Sequence, residues 1–180
     1  MKDVLLQGRR LYLRGLRAED ADGDYPHWLN DAETCAGNSH AVYPYSLEAA
    51  RGYIRDSAAS IDNLVLAIVT ADNDKHIGNI ALQRVHAINR SAEFAILLGD
   101  KSAWGQGYGA EAGRLICAHG FAALNLHRIH CGTFASNAAM MRLAEKLGMR
   151  REGLQRQAAY KNGVYVDIVL YGLLRGEASA

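Results

Sequence analysis

The sequence predicts an α+β fold, with a mixed, mostly antiparallel central sheet and flanking helices, in one domain over residues 1–180. Three stretches predict it. Leu64 to Leu98 reads as three apolar runs parted by the turn signals Asp72-Asn73-Asp74 and Ala87 to Arg90, which is an antiparallel meander. The glycine-rich segment Trp104-Gly105-Gln106-Gly107-Tyr108-Gly109-Ala110 then opens a helical run. At the end, two long runs flank Lys161-Asn162-Gly163, whose Asn-Gly pair favours a tight hairpin turn. Strands and helices in that irregular order belong to an α+β architecture.

Each element has its own signal. Arg9 to Gly15 alternates, with Leu11 and Leu13 opposed to Arg10, Tyr12 and Arg14, and reads as the first strand. Ala18 to Leu29 reads as a helix and Asp31 to Tyr45 as a long loop carrying Asn38, His40, Tyr43 and Tyr45. Long loops that are not linkers are often functional. Ser46 caps a second helix bearing Leu47, Ala50 and Ile54. Leu64 to Thr70, His76 to Val85 and Ser91 to Leu98 are the meander strands. A helix follows to Asn125, with Ala112, Leu115, Ile116, Ala122 and Ala123 at helical spacing. Arg128 to Phe134 is a strand, and Ser136 or Asn137 caps a fourth helix whose Met140, Leu143, Ala144 and Leu147 share one face. Gly148 stops that helix. Met149 to Tyr160 and Val164 to Leu173 form the closing hairpin.

Composition narrows the function. Twenty basic against nineteen acidic residues leave a net charge of +1, which argues against a nucleic-acid or membrane-surface protein. No apolar run reaches membrane-span length, and the first seven residues are too short and charged for a signal peptide. Three cysteines without close spacing, Cys35, Cys117 and Cys131, favour reduced thiols and a cytoplasmic setting. His127 and His130 fall on opposite faces of a strand, so no metal site is expected.

The glycine segment carries the chemistry. Glycines permit positive φ and close approach of a ligand. Their N–H groups, with the first turn of the next helix, suit an anion such as a phosphate, although a plain strand-to-helix turn has the same composition. No G-x-x-x-x-G-K-[ST] string occurs. Gly105, Gly107 and Ala110 fit the dinucleotide spacing, but Gly99 to Ala103 separate them from the strand, and no acidic residue lies at Asn125 to Gly132.

A third loop type fits better. Ala92-Glu93-Phe94-Ala95-Ile96-Leu97-Leu98, the loop, Ser136-Asn137 and Glu145-Lys146-Leu147-Gly148-Met149 together resemble the GNAT N-acetyltransferase superfamily, over essentially the whole chain. Trp104 stands where the family's diphosphate loop usually has Arg or Gln, while Gly107 and Gly109 fit. The Trp-Gly-x-Gly-Tyr context and the segment from Glu152-Gly153 to Asp167 resemble the Rim-like branch, which includes ribosomal-protein N-terminal, spermidine and amino-sugar acetyltransferases.

The resemblance implies central strands that splay apart between Ala92–Leu98 and Arg128–Phe134. It implies acetyl-CoA as cosubstrate and no metal, a diphosphate held at Trp104, Gly105, Gln106, Gly107, Tyr108, Gly109 and Ala110, and a pantetheine arm against Ile96, Leu97 and Leu98, with Asn137 and Met140 beside it. Asn137 is equally a plain helix cap. A homodimer is the family's habit.

The implied reaction moves an acetyl group from the thioester to an amine, which must attack unprotonated although its pKa is about 10.4. A base is then useful. Glu93 matches the base of one family branch; its alternative is an exposed strand-end carboxylate. A backbone N–H near Leu97 or Leu98 would meet the developing oxyanion. For the departing thiolate, the positions where relatives carry Tyr or Ser are Ala144 and Met140 here, so Tyr160, or Tyr165 or Tyr171, is the substitute, or none is needed. Arg142 and Arg150-Arg151 form either a basic patch near the adenosine phosphate or a solvated face.

The acceptor is a primary amine: an amino-sugar nucleotide first, on Trp28-Leu29-Asn30-Asp31 and Lys75 to Asn79, with a peptide N-terminus or a polyamine open. A polyamine would draw on Asp20, Asp22, Asp24, Asp31 and Glu33. Against all of these stands an acyl-CoA-binding module without catalysis.

Overall fold

Strand alternation sorts the side chains of this chain onto two faces, and the computed structural model, which describes residues 3–178, shows what covers each. Eight strands form one sheet: β1 (Val4–Gln7), β2 (Leu11–Gly15), β3 (Leu64–Thr70), β4 (His76–His86), β5 (Ser91–Leu98), β6 (Arg128–Phe134), β7 (Arg150–Lys161) and β8 (Val164–Leu174). Their spatial order is β1-β2-β3-β4-β5-β6-β8-β7. Every neighbouring pair is antiparallel except β5 and β6, which run parallel.

Helix α3 (Tyr108–Ala122) and helix α4 (Ala138–Lys146) cover one face, where Ala112, Ile116, Ala144 and Leu147 pack on Leu11, Leu13, Ile80, Leu82 and Phe94. Helix α1 (Tyr25–Asn30) and helix α2 (Leu47–Ala59) lie on the other, where Tyr25, Trp28, Ala50 and Ile54 meet Leu97. Ser46 caps α2 through the Ala49 N–H, 3.1 Å away, as its sequence position predicts. The closing hairpin turns at Asn162 and Gly163, both with positive φ (50° and 85°).

Two expectations change. The helix read over 18–29 is two pieces: a 3-10 turn over 18–22 and α1, broken at Gly23 with Pro26 in the first turn of α1. Proline supplies no N–H, so it belongs at a helix start and not in mid-helix. Strand β1, which the sequence pattern does not predict, is four residues long and pairs with β2 through a bulge.

Candidate acyl-transfer site

The site grows from one interruption in the sheet. β5 and β6 pair only at Ser91–Arg128, Ala92–Ile129 and Glu93–His130. Beyond these, β5 stays on β4 through Leu98, and β6 stays on β8 through Phe134, so residues 94–98 and 131–134 diverge and leave a wedge between them. The Gly99 N–H donates to the Ile77 carbonyl at 3.0 Å. Antiparallel alternation then turns the backbone groups of Ala95 and Leu97 toward β4 and those of Ile96 and Leu98 toward the wedge. Of the three wedge residues read from sequence, Leu97 therefore presents its backbone the other way, and its side chain packs under α1.

The glycine loop stands at the open end of β5. Gly105 and Gly107 have φ of 72° and 85°, where a side chain would be strained. Trp104 N–H donates to Lys101. Among the described residues, no bond from the N–H groups of residues 105–110 to a protein acceptor meets hydrogen-bond geometry. These donors surround the start of α3, whose N-terminus carries partial positive charge. A Cβ at Gly109 would lie 3.5–3.7 Å from Leu98, Ile96 and Leu143, so Gly109 seats the first turn of α3 on β5. Trp104, 37% exposed, donates its indole N–H to the Leu98 carbonyl at 2.8 Å and ties the loop to the strand. Gln106 reaches back to Ser102 O. The loop thus fits a diphosphate by its own free donors.

Asn137 caps α4: its Oδ1 accepts from Met140 N–H at 3.0 Å, and its Nδ2 donates to Gly37 O at 3.2 Å. The cap anticipated from sequence is thus present, with a contact to the 31–45 loop that no local pattern signals. That loop is fastened further by Lys161 Nζ to His40 O at 2.6 Å and by Lys101 to Asp31 and Glu33 at 3.0 and 2.7 Å.

Glu93 lies on the α1/α2 face at the closed end of the wedge, its side chain 29% exposed and 3.2 Å from Arg84 Nη1. Arg84 is 84% exposed and sits on a bulge at φ 52°, so its hold is weak. The parallel register sets His130 directly beside Glu93, a neighbour missed in the sequence reading because it follows from strand order alone. Tyr160, 60% exposed, stacks edge-on with Tyr165 at the hairpin tip. The structure does not bring it to Glu93: His130 pairs with Gly172 and Tyr160 with Tyr165, seven positions along β8 and on the order of 23 Å at strand rise.

Beneath α1 and α2 lies a polar cluster. Arg14 grips Asp20 through two bonds, 2.8 and 2.7 Å, both residues buried. His76 Nδ1 lies 3.5 Å from Asp20, and its Nε2 bonds Asn79 at 2.8 Å. Tyr25 and Tyr45 share a hydroxyl contact at 3.4 Å. Burial raises the pKa of the Tyr25, Tyr45 and Tyr53 phenols, so all three stay protonated. Cys35, Cys117 and Cys131 are buried free thiols, and burial pushes Cys117 and Cys131 up to about 12. Among the described residues no His, Cys, Asp or Glu cluster could hold a metal ion, and no helix is long and apolar enough to cross a membrane. A cavity of about 1110 Å³ opens between α3, the 8–10 turn and the end of α4, lined in part by Arg10 and Glu111.

Comparison with known proteins agrees with this geometry. A family model described as an acetyltransferase (GNAT) domain matches residues 10–150. An uncharacterized N-acetyltransferase, p20, of Bacillus licheniformis is 28% identical over 179 residues, 96% of this chain and 97% of that one. Among solved structures, spermidine N-acetyltransferase from Vibrio cholerae in complex with CoA and spermine superposes with a TM-score of 0.85 at 22% identity, covering 93% and 97% of the two chains. Mycobacterium smegmatis RimJ in complex with CoA-disulfide gives 0.84 at 20% identity, covering 96% and 88%.

Proposed function

The chain belongs to the GNAT acetyltransferase family, and from that premise we propose that it transfers the acetyl group of acetyl-CoA directly to a primary amine on a small polar acceptor, an amino-sugar nucleotide ahead of a polyamine. The observation that carries this reading is the wedge between residues 94–98 and 131–134, with the unspent N–H groups of residues 105–110 at its mouth.

In this reading Gly105 to Ala110 donate to the diphosphate of the cosubstrate. The wedge-facing groups of Ile96 pair with the pantetheine amides, a small-molecule form of strand addition. Asn137 and Met140 line the same passage. Acetyl-CoA supplies a thioester carbonyl. Glu93, alone or through water, accepts the proton that the amine loses as its nitrogen attacks that carbon. The Leu98 N–H faces the developing oxyanion in preference to Leu97, whose N–H points into β4. The carbon–sulfur bond then breaks, and the thiolate leaves without a dedicated acid, since a thiol pKa near 8.5 makes it a tolerable leaving group. Tyr160, at the exposed hairpin tip, has no part in this step.

The charge pattern supports an acceptor with a single amine over a polyamine. Of the five carboxylates a polyamine would use, Asp20 is held by Arg14, Asp22 by Arg51, and Asp31 and Glu33 by Lys101. That leaves Asp24 as one carboxylate of the five, too few for a polyamine with several cationic nitrogens. A panel of amino-sugar nucleotides, peptides and polyamines with acetyl-CoA and a free-thiol readout tests the assignment. The expected outcome is turnover of the amino-sugar class; turnover of spermidine alone would move the assignment to polyamines, and release of no thiol from any amine would refute catalysis.

A further inference from the structure

Residues 104–110 carry no basic side chain, yet a diphosphate brings two or more negative charges to them. The cation that bonds this loop comes from the β1–β2 turn. Arg10 donates Nη1 to the Gln106 carbonyl at 2.9 Å and Nε to Glu111 Oε2 at 2.9 Å, and its guanidinium lies 4.8 Å from the centre of the Tyr108 ring. The backbone N–H groups of Arg9 and Arg10 both donate to Glu111 Oε1 at 2.8 Å. The turn is thereby clamped to the first turn of α3. Among the described residues Nη2 has no protein acceptor; it would lie 3.4 Å from a Cβ at Gly107, and the side chain as a whole is 41% exposed.

Glu111 sharpens the point. It sits one turn into α3, its side chain 15% exposed, beside the proposed anion. An unpaired carboxylate there would oppose a diphosphate. Arg10 cancels that charge and keeps one guanidinium edge unspent, the geometry suited to a phosphate oxygen.

We propose that Arg10 is a diphosphate ligand, delivered to the glycine loop from the N-terminal hairpin; this rests on the reading of residues 105–110 as the cosubstrate's diphosphate site. Calorimetric titration of CoA, and of pantetheine as a probe without phosphates, tests it on the full chain. Arg10→Gln weakens CoA at least tenfold and leaves pantetheine unchanged, Arg10→Lys recovers part of the loss, and the double variant Arg10→Gln/Glu111→Gln stays weak because a donor is gone. Recovery of wild-type affinity in the double variant would reduce Arg10 to a neutraliser of Glu111 and overturn the proposal, as would equal losses for both probes. Gly107→Val separates the two levels. If it loses CoA while Arg10→Gln does not, the Arg10 assignment fails; if it also binds CoA normally, the loop reading itself fails.

Discussion

The side-chain amide of Asn137 bridges two segments that are a hundred positions apart, accepting from Met140 N–H within α4 and donating to Gly37 O across the wedge mouth. A Cβ on Gly37 would lie 2.3 Å from Asn137 Nδ2, so the loop backbone can approach only because Gly37 has no side chain. The two halves of the amide do different work. Asn137→Ala loses both and costs about 1 kcal/mol through the cap, visible as a lower Tm. Asn137→Asp keeps the acceptor that caps α4 but presents an oxygen to the Gly37 carbonyl, so it loses about 0.5–1.5 kcal/mol with that bond while KM for acetyl-CoA rises. An unchanged KM in the Asp variant would uncouple the loop from the cosubstrate passage.

Glu93 and Arg84 make a second separable pair. Glu93→Gln removes the proposed base, and kcat/KM falls about a hundredfold or more, with the pH dependence of kcat/KM flattened on its acid side. A pH profile identical to wild type would end the assignment. Arg84→Ala removes a partner that is mostly in solvent, where such pairs contribute no more than about 1 kcal/mol; its kcat therefore stays within about fivefold. A collapse of activity in Arg84→Ala would mean that Glu93 works as a charge held in place and not as a base.

Which features sequence can foretell follows from their range. The apolar runs Leu64–Thr70 and Ser91–Leu98 between turn signals, and the 3.6-residue face of Met140, Leu143, Ala144 and Leu147, are local, and the elements fell where the pattern put them. β1 escaped because four residues at a sheet edge carry too little alternation to register, and Ala18 to Leu29 kept a helical look across Gly23 and Pro26. The glycine loop was legible for the same local reason: its positive φ values need glycine at 105 and 107. The clamp of Arg10 on Glu111, the Gly37–Asn137 bond and His130 beside Glu93 join residues 37 to 101 positions apart, and no period in the sequence encodes such distances.

The Arg14–Asp20–His76 cluster makes the fold acid-sensitive. Burial raises the Asp20 pKa, but the Arg14 bonds, the Arg17 N–H and the nearby His76 outweigh it, and the net pKa lies below 3.8. Burial lowers His76 below 6.5 against the pull of Asp20. Both folded pKa values are depressed, so in each case the unfolded chain takes up the proton first. The stabilisation is full above the unfolded values and is lost as pH falls through the folded ones. Urea titrations should then show stability declining below pH 6.5 and again below 3.8. His76→Gln makes the first decline shallower. Asp20→Asn strands the buried Arg14 charge, costs about 3–5 kcal/mol at neutral pH, and removes the Asp20 share of the second decline. A wild-type stability independent of pH from 7 to 4 would contradict the account.

Trp28 and Gly99 meet at the end of β5. The Trp28 ring lies against Gly99 so closely that a Cβ there would be 1.8 Å from Trp28 Cδ2, and Gly99 follows directly on β5, whose Ile96 and Leu98 face the wedge. Gly99→Ala must push either α1 or the end of β5, and overpacking of this kind costs about 1–3 kcal/mol. Trp28→Ala leaves a cavity under α1 and costs about 3–5 kcal/mol. In the double variant the added methyl enters the space the ring vacated, so the second substitution should cost almost nothing and the coupling should approach the whole Gly99→Ala effect. If instead the two losses add, the ring and the glycine are not in contact in solution. A rise in KM for acetyl-CoA in Gly99→Ala that Trp28→Ala suppresses would show that this contact sets the position of Leu98, and with it the backbone edge on which the proposed acyl transfer depends.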